Sequence, residues 1–413
     1  MIRGVPLKRL ATVVAGQSPP SADVVEFDGD GLPFLQGNAE FGHRSPHPRS
    51  RCDAAPKHAQ RGDLLVSVRA PVGALNLADR EYGIGRGLAA VRPGASLDPA
   101  FCWWWLHSAV SDLQAQATGS TYDAVTAEDV GALQVPSRAV DDQRAIAEFL
   151  DVETARIDAL ITKKRRMIEV LDRRAVVASD RLLLGLEHRD VLPARSPYFT
   201  DVPRHWKETS VRHLYCQVQT GPFGSQLHAE DYVEDGWPVV NPANLRGGEI
   251  VAIPGMSVSD EKRRQLDRHT LQEGDVVFGR RGEMGRAGLV EPRQVGWLCG
   301  TGSLRLRLSS HSPLEPAYLV LLLQTTALRH YFELASIGST MDNLNSEIVL
   351  AMPCLVPPRR EQLQLVKSVQ SARAAVRSLS ERLERQIVLL QEHRQALITA
   401  AVTGEMEVPG VAA

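Results

Sequence analysis

The chain has 413 residues, a length that predicts two or three domains, each large enough to bury its own core. At 43% hydrophobic and 23% charged residues the composition is that of a soluble globular protein, and no apolar run approaches the roughly 20 residues of a membrane span. A net charge of −2 gives no whole-molecule pull toward nucleic acid, so any such binding must rest on local clusters. Five scattered cysteines with no CxxC pair, and a start without a signal-peptide apolar region, predict a reduced cytoplasmic protein with neither disulfide framework nor zinc knuckle.

In chain order, Leu32-Pro33 leads into an apolar strand and the polar turn Gln36-Gly37-Asn38. Gly62-Asp63 precedes Leu64 to Arg69 and reads as a hairpin turn entering a core strand. The turn Gly85-Arg86-Gly87 follows, then a short apolar helix from Pro99 to His107 carrying Trp103-Trp104-Trp105, which reads as core and interface more than as a base-stacking surface. Ala117-Thr118-Gly119-Ser120-Thr121-Tyr122-Asp123 precedes a helix-start box, Thr126 with Asp129. Val135-Pro136 marks a strand end, and Asp142-Gln143 opens a long charged helix that closes on Gly185.

The second half says the same things in the same order. Trp237-Pro238-Val239-Val240 runs into Asn241-Pro242-Ala243-Asn244, Gly274-Asp275 precedes Val276 to Arg281, and Gly300-Thr301-Gly302 precedes Ser303-Leu304. An apolar helix from Pro316 to Gln324 leads to Ser336-Ile337-Gly338-Ser339-Thr340-Met341-Asp342, then Val356-Pro357-Pro358, then Glu361-Gln362 and a helix closing on Gly404, which is Gly185 plus 219. Spacings between matched blocks differ, so insertions fall in the loops of a shared scaffold.

From Leu150 a spacing of four then three gives Leu150, Thr154, Ile157, Ile161, Lys164, Ile168, Leu171, Ala175, Ala178 and Leu182, a coiled-coil seam. The matching seam, Val369, Arg373, Val376, Ser380, Leu383, Ile387, Leu390, Arg394, Leu397 and Ala401, is interrupted by Arg373, Ser380 and Arg394. One apolar stripe cannot stay in water alone, so the two helices are each other's expected partners, antiparallel because a globular unit separates them. The predicted fold class is α+β, two mixed domains joined by two long helices in an antiparallel coiled coil, with an internal pseudo-two-fold repeat. The expected boundaries are 1–140, 141–185, 186–358 and 359–404, with a tail at 405–413. The helix-pair residues are Leu150, Ile157, Ile161, Ile168, Leu171, Val376, Leu383, Ile387, Leu390 and Leu397.

These features resemble the DNA-specificity subunits of type I restriction-modification systems, built as recognition domain, helix, recognition domain, helix. The likeness is carried by Gly338 to Asn345 with Val356-Pro357-Pro358 and Glu361-Gln362, by Asp142 to Asp151 followed by Glu153 to Asp158, and by Leu397 to Gly404. The first helix departs from the usual ending, with Leu182-Leu183-Leu184-Gly185, and the second junction has Leu363-Gln364-Leu365-Val366 where an Ile-Ala step is usual. The resemblance implies a non-catalytic reader of double-stranded DNA. Each domain would read one half of a bipartite target, and the helices would set the spacer between them. The implied partners are two modification (methyltransferase) subunits that use S-adenosylmethionine, and ATP- and Mg-dependent restriction subunits. No cofactor is expected in this chain.

Under that resemblance the candidate DNA contacts fall in matched places. In the first half they are Asn38, the basic loop with Arg44, Arg49 and Arg51 beside Lys57 and Arg61, then Arg69, Arg86, Ser120 and Thr121. In the second they are Asn241, Asn244, Arg246, Arg280, Arg281, Ser339 and Thr340, with Lys262-Arg263-Arg264 reading nearly as well as a solvated face. Arginine can fork onto guanine, asparagine can pair with adenine, and hydroxyls with backbone N–H groups can hold phosphate. Asparagine is equally a turn residue. No metal-spaced histidine set and no catalytic apparatus is visible, so no metal site and no enzyme is expected; the alternative is a coiled-coil adaptor that binds proteins only.

Overall fold

A computed structural model describes residues 4–117, 124–223, 226–282, 285–337 and 344–411. The chain forms two compact units, Met1–Arg166 with Leu383–Ala413, and Met167–Arg382. Among the described residues no helix is long and apolar enough to cross a membrane.

The two units are built on one plan. In the first, an antiparallel sheet runs in the order Ala11–Ala15, Leu88–Pro93, Leu64–Ser67, Leu75–Leu77. The second has Cys216–Thr220, Ser303–Leu308, Val276–Gly279 and Ala287–Leu289 in the same order. A second sheet in each carries one parallel pair, Pro33–Leu35 beside Tyr82–Ile84 and Trp237–Val240 beside Leu298–Cys299.

The run Leu64-Leu65-Val66 is apolar without a break because both faces of its sheet are covered. Leu64 and Val66 join a core with Phe101, Trp104, Trp105 and Leu106 of the helix Pro99–Gln116. Leu65 points the other way, into a core with Leu35, Tyr82 and Ile84. In the second unit Val276 and Phe278 pack with Tyr318 and Leu322, and Val277 packs with Val240 and Cys299 on the opposite face. The tryptophan run is thus core: Trp104 and Trp105 are buried, and their indole N–H groups donate to Asp151 at 3.1 Å and to the Gln134 carbonyl at 3.3 Å.

The Gly-Asp turns hold these sheets. Gly62 and Gly274 take φ of +92° and +84°, open to glycine without strain. The aspartates that follow are buried, and each receives two bonds from one arginine: Asp63 from Arg92 at 2.8 and 2.7 Å, and Asp275 from Arg307 at 2.7 and 2.7 Å. Each also accepts a backbone N–H at 2.8 Å, from Gln60 or Gln272. A buried carboxylate is tolerable only when paired and hydrogen-bonded in this way.

The long helices span Val140–Leu183 and Arg359–Thr403. They run antiparallel. In the first unit Asp158 meets Arg394 at 3.1 Å and Lys164 meets Gln386 at 2.6 Å, so partners fall in one helix as they rise in the other. In the second unit Leu183 shares a core with Val366 and Val369. Of the expected seam residues, Leu150, Ile157, Ile161, Leu383 and Ile387 are buried, while Ile168, Leu171, Val376, Leu390 and Leu397 are half-buried. The seam departs from its expected spacing at one place: Ala178 is exposed and Ser179 is buried, its hydroxyl donating to the Ala175 carbonyl at 2.7 Å. The strict spacing slips there because the helix has come onto the packed core of the second unit.

Each long helix is fastened at its first turn by a buried glutamine. The Gln143 side chain accepts the Asp98 N–H at 2.8 Å and donates to the Ser96 and Arg138 carbonyls at 3.1 and 3.0 Å. That of Gln362 accepts the Glu315 N–H and donates to the Pro313 and Pro357 carbonyls, all at 2.8 Å. Asp98 and Glu315 are the residues that precede the proline-started helices Pro99–Gln116 and Pro316–Leu323, so one carboxamide locks two helix beginnings together. Replacing Gln362 by Leu leaves an amide and two carbonyls stranded in the core and should cost about 2–4 kcal/mol, read as a lower denaturation midpoint; a midpoint unchanged within error would show that the carboxamide does not fasten the helix.

Candidate nucleic-acid interface

In each unit the same set of turns converges at one edge, where strands of both sheets end. In the first, the Gly16 N–H donates to the Leu88 carbonyl at 2.9 Å, the Val68 N–H to the Gly87 carbonyl at 3.0 Å, and Gln36 Nε2 to Ser18 Oγ at 2.9 Å. The turns at 16–18, 36–38, 68–69 and 85–87 thereby touch one another, and Arg69 is bridged to Ala124. In the second, the Gly221 N–H donates to the Ser303 carbonyl at 3.0 Å and Arg280 N–H to the Gly302 carbonyl at 2.9 Å. A β-carbon on Gly16 would lie 2.1 Å from the Gly85 carbonyl oxygen, and one on Gly221 1.8 Å from that of Gly300, so both positions admit only glycine.

Several candidate contacts stand at this edge or on the basic loop beside it. Arg69 and Arg86 are exposed on adjoining turns, and Asn38 is half-buried in the next. Arg44 and Arg49 are exposed in the loop that follows, and Arg246 is exposed in the second unit; among the described residues none of these arginines has an ion-pair partner.

Asn244, Asn241, Arg51 and Arg280 are engaged within the fold, which corrects the expectation that they face a ligand. Asn244 is fully buried, its oxygen accepting the Asn241 N–H at 2.9 Å and its nitrogen donating to the Val251 carbonyl at 2.8 Å. Asn241 accepts the Gly302 N–H and donates to the Tyr232 hydroxyl, both at 3.3 Å, so the pair braces a turn. Arg51 is held 3.5 Å from Asp28 and 3.5 Å from Asp53; Asp28 reaches it from a turn well before the basic loop. Arg280 is half-buried and donates to the Leu344 carbonyl at 3.1 Å. Arg281 is exposed but engaged.

In the Lys262-Arg263-Arg264 run, Lys262 pairs with Asp231 at 2.9 Å and Arg263 lies over the Trp237 ring at 4.1 Å, leaving only Arg264 exposed. Ser120, Thr121, Ser339 and Thr340 lie outside the described residues.

The structure adds one residue that the sequence did not single out. Phe223 is 65% exposed two residues after Gly221, at the edge where the turns of the second unit meet. An aromatic ring left in water beside a Gly-Pro turn is the signal that could have marked it.

The electrostatics elsewhere are those of structure. Burial pushes His107 down to about 4, helped by nearby Arg394. Burial, with Arg268 and Arg305, brings His269 to about 4 as well. Neutral when folded and protonated when unfolded, both withdraw stability as pH falls from the ordinary imidazole range toward 4.

The split between brace and exposed contact is testable. Asn244→Ala should destabilise the protein by about 1–3 kcal/mol, the cost of orphaned buried groups, whereas Asn38→Ala and Arg86→Ala should leave stability within about 0.5 kcal/mol of the parent. Equal losses at all three positions in chemical denaturation would refute the division.

No family model matches the chain. It is 34% identical over 174 residues to a Methanocaldococcus jannaschii protein named as the MjaX specificity subunit of a type I restriction enzyme, covering 42% of this chain and 40% of that one. Identity is 20% over 312 residues to the type I restriction enzyme EcoBI specificity subunit of Escherichia coli, covering 74% and 65% of the two chains. The chain thus spans less than two thirds of the length of either relative. Among solved structures, a chain from work on complex assembly and conformational transition of the type I R-M system matches with a TM-score of 0.68, 17% identity and 98% of both chains covered. The HsdS subunit from Thermoanaerobacter tengcongensis matches with a TM-score of 0.53, 17% identity, and 98% and 97% covered. The chain is therefore a relative of the type I restriction-modification specificity subunits, and it shares their fold.

Proposed function

We propose that this chain is the DNA-reading, non-catalytic subunit of a type I restriction-modification assembly, with residues 1–140 and 186–358 as its two target-recognition domains. The observation that carries this reading is the duplicated edge. Glycine positions, turn contacts and strand ends match between the units, while the side chains presented there differ: Asn38, Arg69 and Arg86 in one, Phe223 and Arg281 in the other. One scaffold displaying two different sets of side chains suits the reading of two different half-sites.

Phosphate neutralisation by exposed arginines supplies affinity, and base-edge contacts of about 1–3 kcal/mol each supply discrimination. The helices, about 65 Å each at 1.5 Å per residue, act as the ruler that fixes the unread spacer. Their exposed apolar residues, Leu160, Met167, Val177, Leu379 and Leu389 among them, offer docking surface to two modification subunits. In this reading S-adenosylmethionine belongs to those subunits, and ATP and Mg to restriction subunits.

The test is a methylation map of DNA from cells expressing the chain with its neighbouring methyltransferase. Two short fixed blocks around an unread spacer are expected, and exchanging one globular unit should change one block only. A continuous motif, or a unit exchange that alters both blocks, would refute the reading. For the assembled complex, Arg44→Ala with Arg49→Ala should reduce the slope of log affinity against log salt by about 0.9 for each phosphate no longer neutralised. A complex whose affinity for duplex DNA ignores salt would instead mark a protein-only adaptor.

A further inference from the structure

Three metal-capable side chains from distant parts of the sequence meet in the second unit, where the second long helix begins. His188 lies in the turn that follows Gly185, the residue at φ +69° just beyond the first long helix. His205 lies in the turn between the strands Asp201–Pro203 and Lys207–Ser210. Glu361 stands in the first turn of the helix Arg359–Thr403.

His188 Nε2 is 3.3 Å from Glu361 Oε1 and His205 Nε2 is 3.0 Å from Glu361 Oε2, and the three donor atoms lie within 4.8 Å of one another. The imidazole centroids are 5.1 Å apart at an interplanar angle of 64°. Among the described residues this is the one such group of three.

The arrangement has the dimensions of an ion site. Around a tetrahedral ion with bonds of about 2.0–2.1 Å, donor atoms stand about 3.3 Å apart. The His188–Glu361 separation of 3.3 Å has that length, and the His205–Glu361 separation of 3.0 Å is slightly shorter. The carboxylate is oriented from behind: Trp206, itself buried, donates its indole N–H to Glu361 Oε1 at 3.0 Å, which turns Oε2 toward His205 Nε2 at 3.0 Å. Such support of a ligating group is what fixes a metal site's geometry. The imidazole rings stand half-exposed and exposed, so an ion has a path in from solvent and water can complete its shell.

We propose that His188, His205 and Glu361 bind one divalent ion of the zinc class, through two imidazole Nε2 atoms and one carboxylate oxygen. Two nitrogens and one oxygen favour zinc, cobalt or nickel over magnesium or calcium, which prefer oxygen alone. The ion fastens the exit of the first long helix and the hairpin after it to the first turn of the second. It acts one residue from the Gln362 clamp and reinforces the same junction. The site stands apart from the DNA-reading role and needs no partner subunit.

The experiment uses the full chain, stripped with chelator and titrated with zinc chloride in a calorimeter at neutral pH, beside His188→Ala, His205→Gln and Glu361→Gln. One ion per chain is expected, with affinity at least about tenfold weaker in each variant. Zinc should raise the melting temperature of the parent and not of His205→Gln, whose exposed position leaves the fold unburdened. Cobalt chloride in place of zinc should give a visible absorption band that His205→Gln abolishes. Binding should weaken on acidification, because the imidazoles must be neutral to ligate. Absence of a saturable one-ion event in the parent would overturn the proposal. So would zinc affinity unchanged in all three variants, which would place the ion on other histidines.

Discussion

The architecture depends on a buried carboxamide used to capacity. Gln143 and Gln362 each accept one backbone N–H and donate to two carbonyls, and neither is more than 3% exposed. A glutamine offers one acceptor and two donors, and here every one is matched to a chain end that would otherwise go unpaired, the start of a helix or the end of a strand. An isolated helix with so polar a surface has little to hold it, because most helical stability in proteins comes from packing. The clamp therefore does more than cap. It fixes the direction in which each long helix leaves its globular unit, so that the seam residues further along meet partners at all. Ion pairs at the same junction, Arg144 with Asp98 and Arg359 with Glu315, lie outside the buried bonds and add to a geometry already set.

With that junction fixed, the globular units divide their labour. The buried Asp–Arg pairs and the two-faced sheets hold the scaffold, and they are the same in both units to within a tenth of an ångström in the bonds that matter. The edge where turns converge is held by backbone bonds and by glycines that admit no side chain. Beyond the bracing side chains Gln36, Asn241 and Arg280, the exposed side chains at that edge, such as Arg69 and Arg86, carry little of the fold and are free to differ between the units. This separation of support from display lets one fold present two different surfaces.

Much of this was legible in the sequence, for identifiable reasons. The four-then-three spacing reports directly on which side of a helix is dry, and nearly all of its positions are buried or half-buried. It broke at Ala178 because local spacing cannot know where a helix stops packing on another helix and begins packing on a domain core. The (Asp/Glu)-Gln pairs were visible as markers, but their partners, 45 to 49 residues away, were not. Among the candidate contacts, exposed arginines and braced ones look alike in sequence. Asn241 and Asn244, three apart across a proline, form the reciprocal bond of a turn, and that spacing spoke for bracing more than for recognition. The histidine–glutamate group escaped altogether, since no spacing rule joins positions 188, 205 and 361.

The weaker second seam is best understood as the part that sets register. A stripe of leucine and isoleucine alone can slide by a heptad at small cost, since each apolar residue finds another apolar partner. Arg373, Ser380 and Arg394 interrupt the stripe, and the two arginines cannot slide. Arg394 reaches Asp158 at 3.1 Å and lies 5.7 Å from the Trp104 ring centroid in the first unit. Arg373 is bonded to Gln324 and lies near Asp180 in the second, where burial lowers its pKa. Displacing the helices by one turn would separate Arg394 from Asp158 and Arg373 from Gln324, a cost that an apolar mismatch does not carry. Arg394 thus ties the two long helices to each other in the first unit, while Arg373 ties the second long helix to the globular part of the second unit. The sequence irregularity that makes the second helix look like a poor coiled coil marks the places where it is tied by polar side chains as well as by apolar packing.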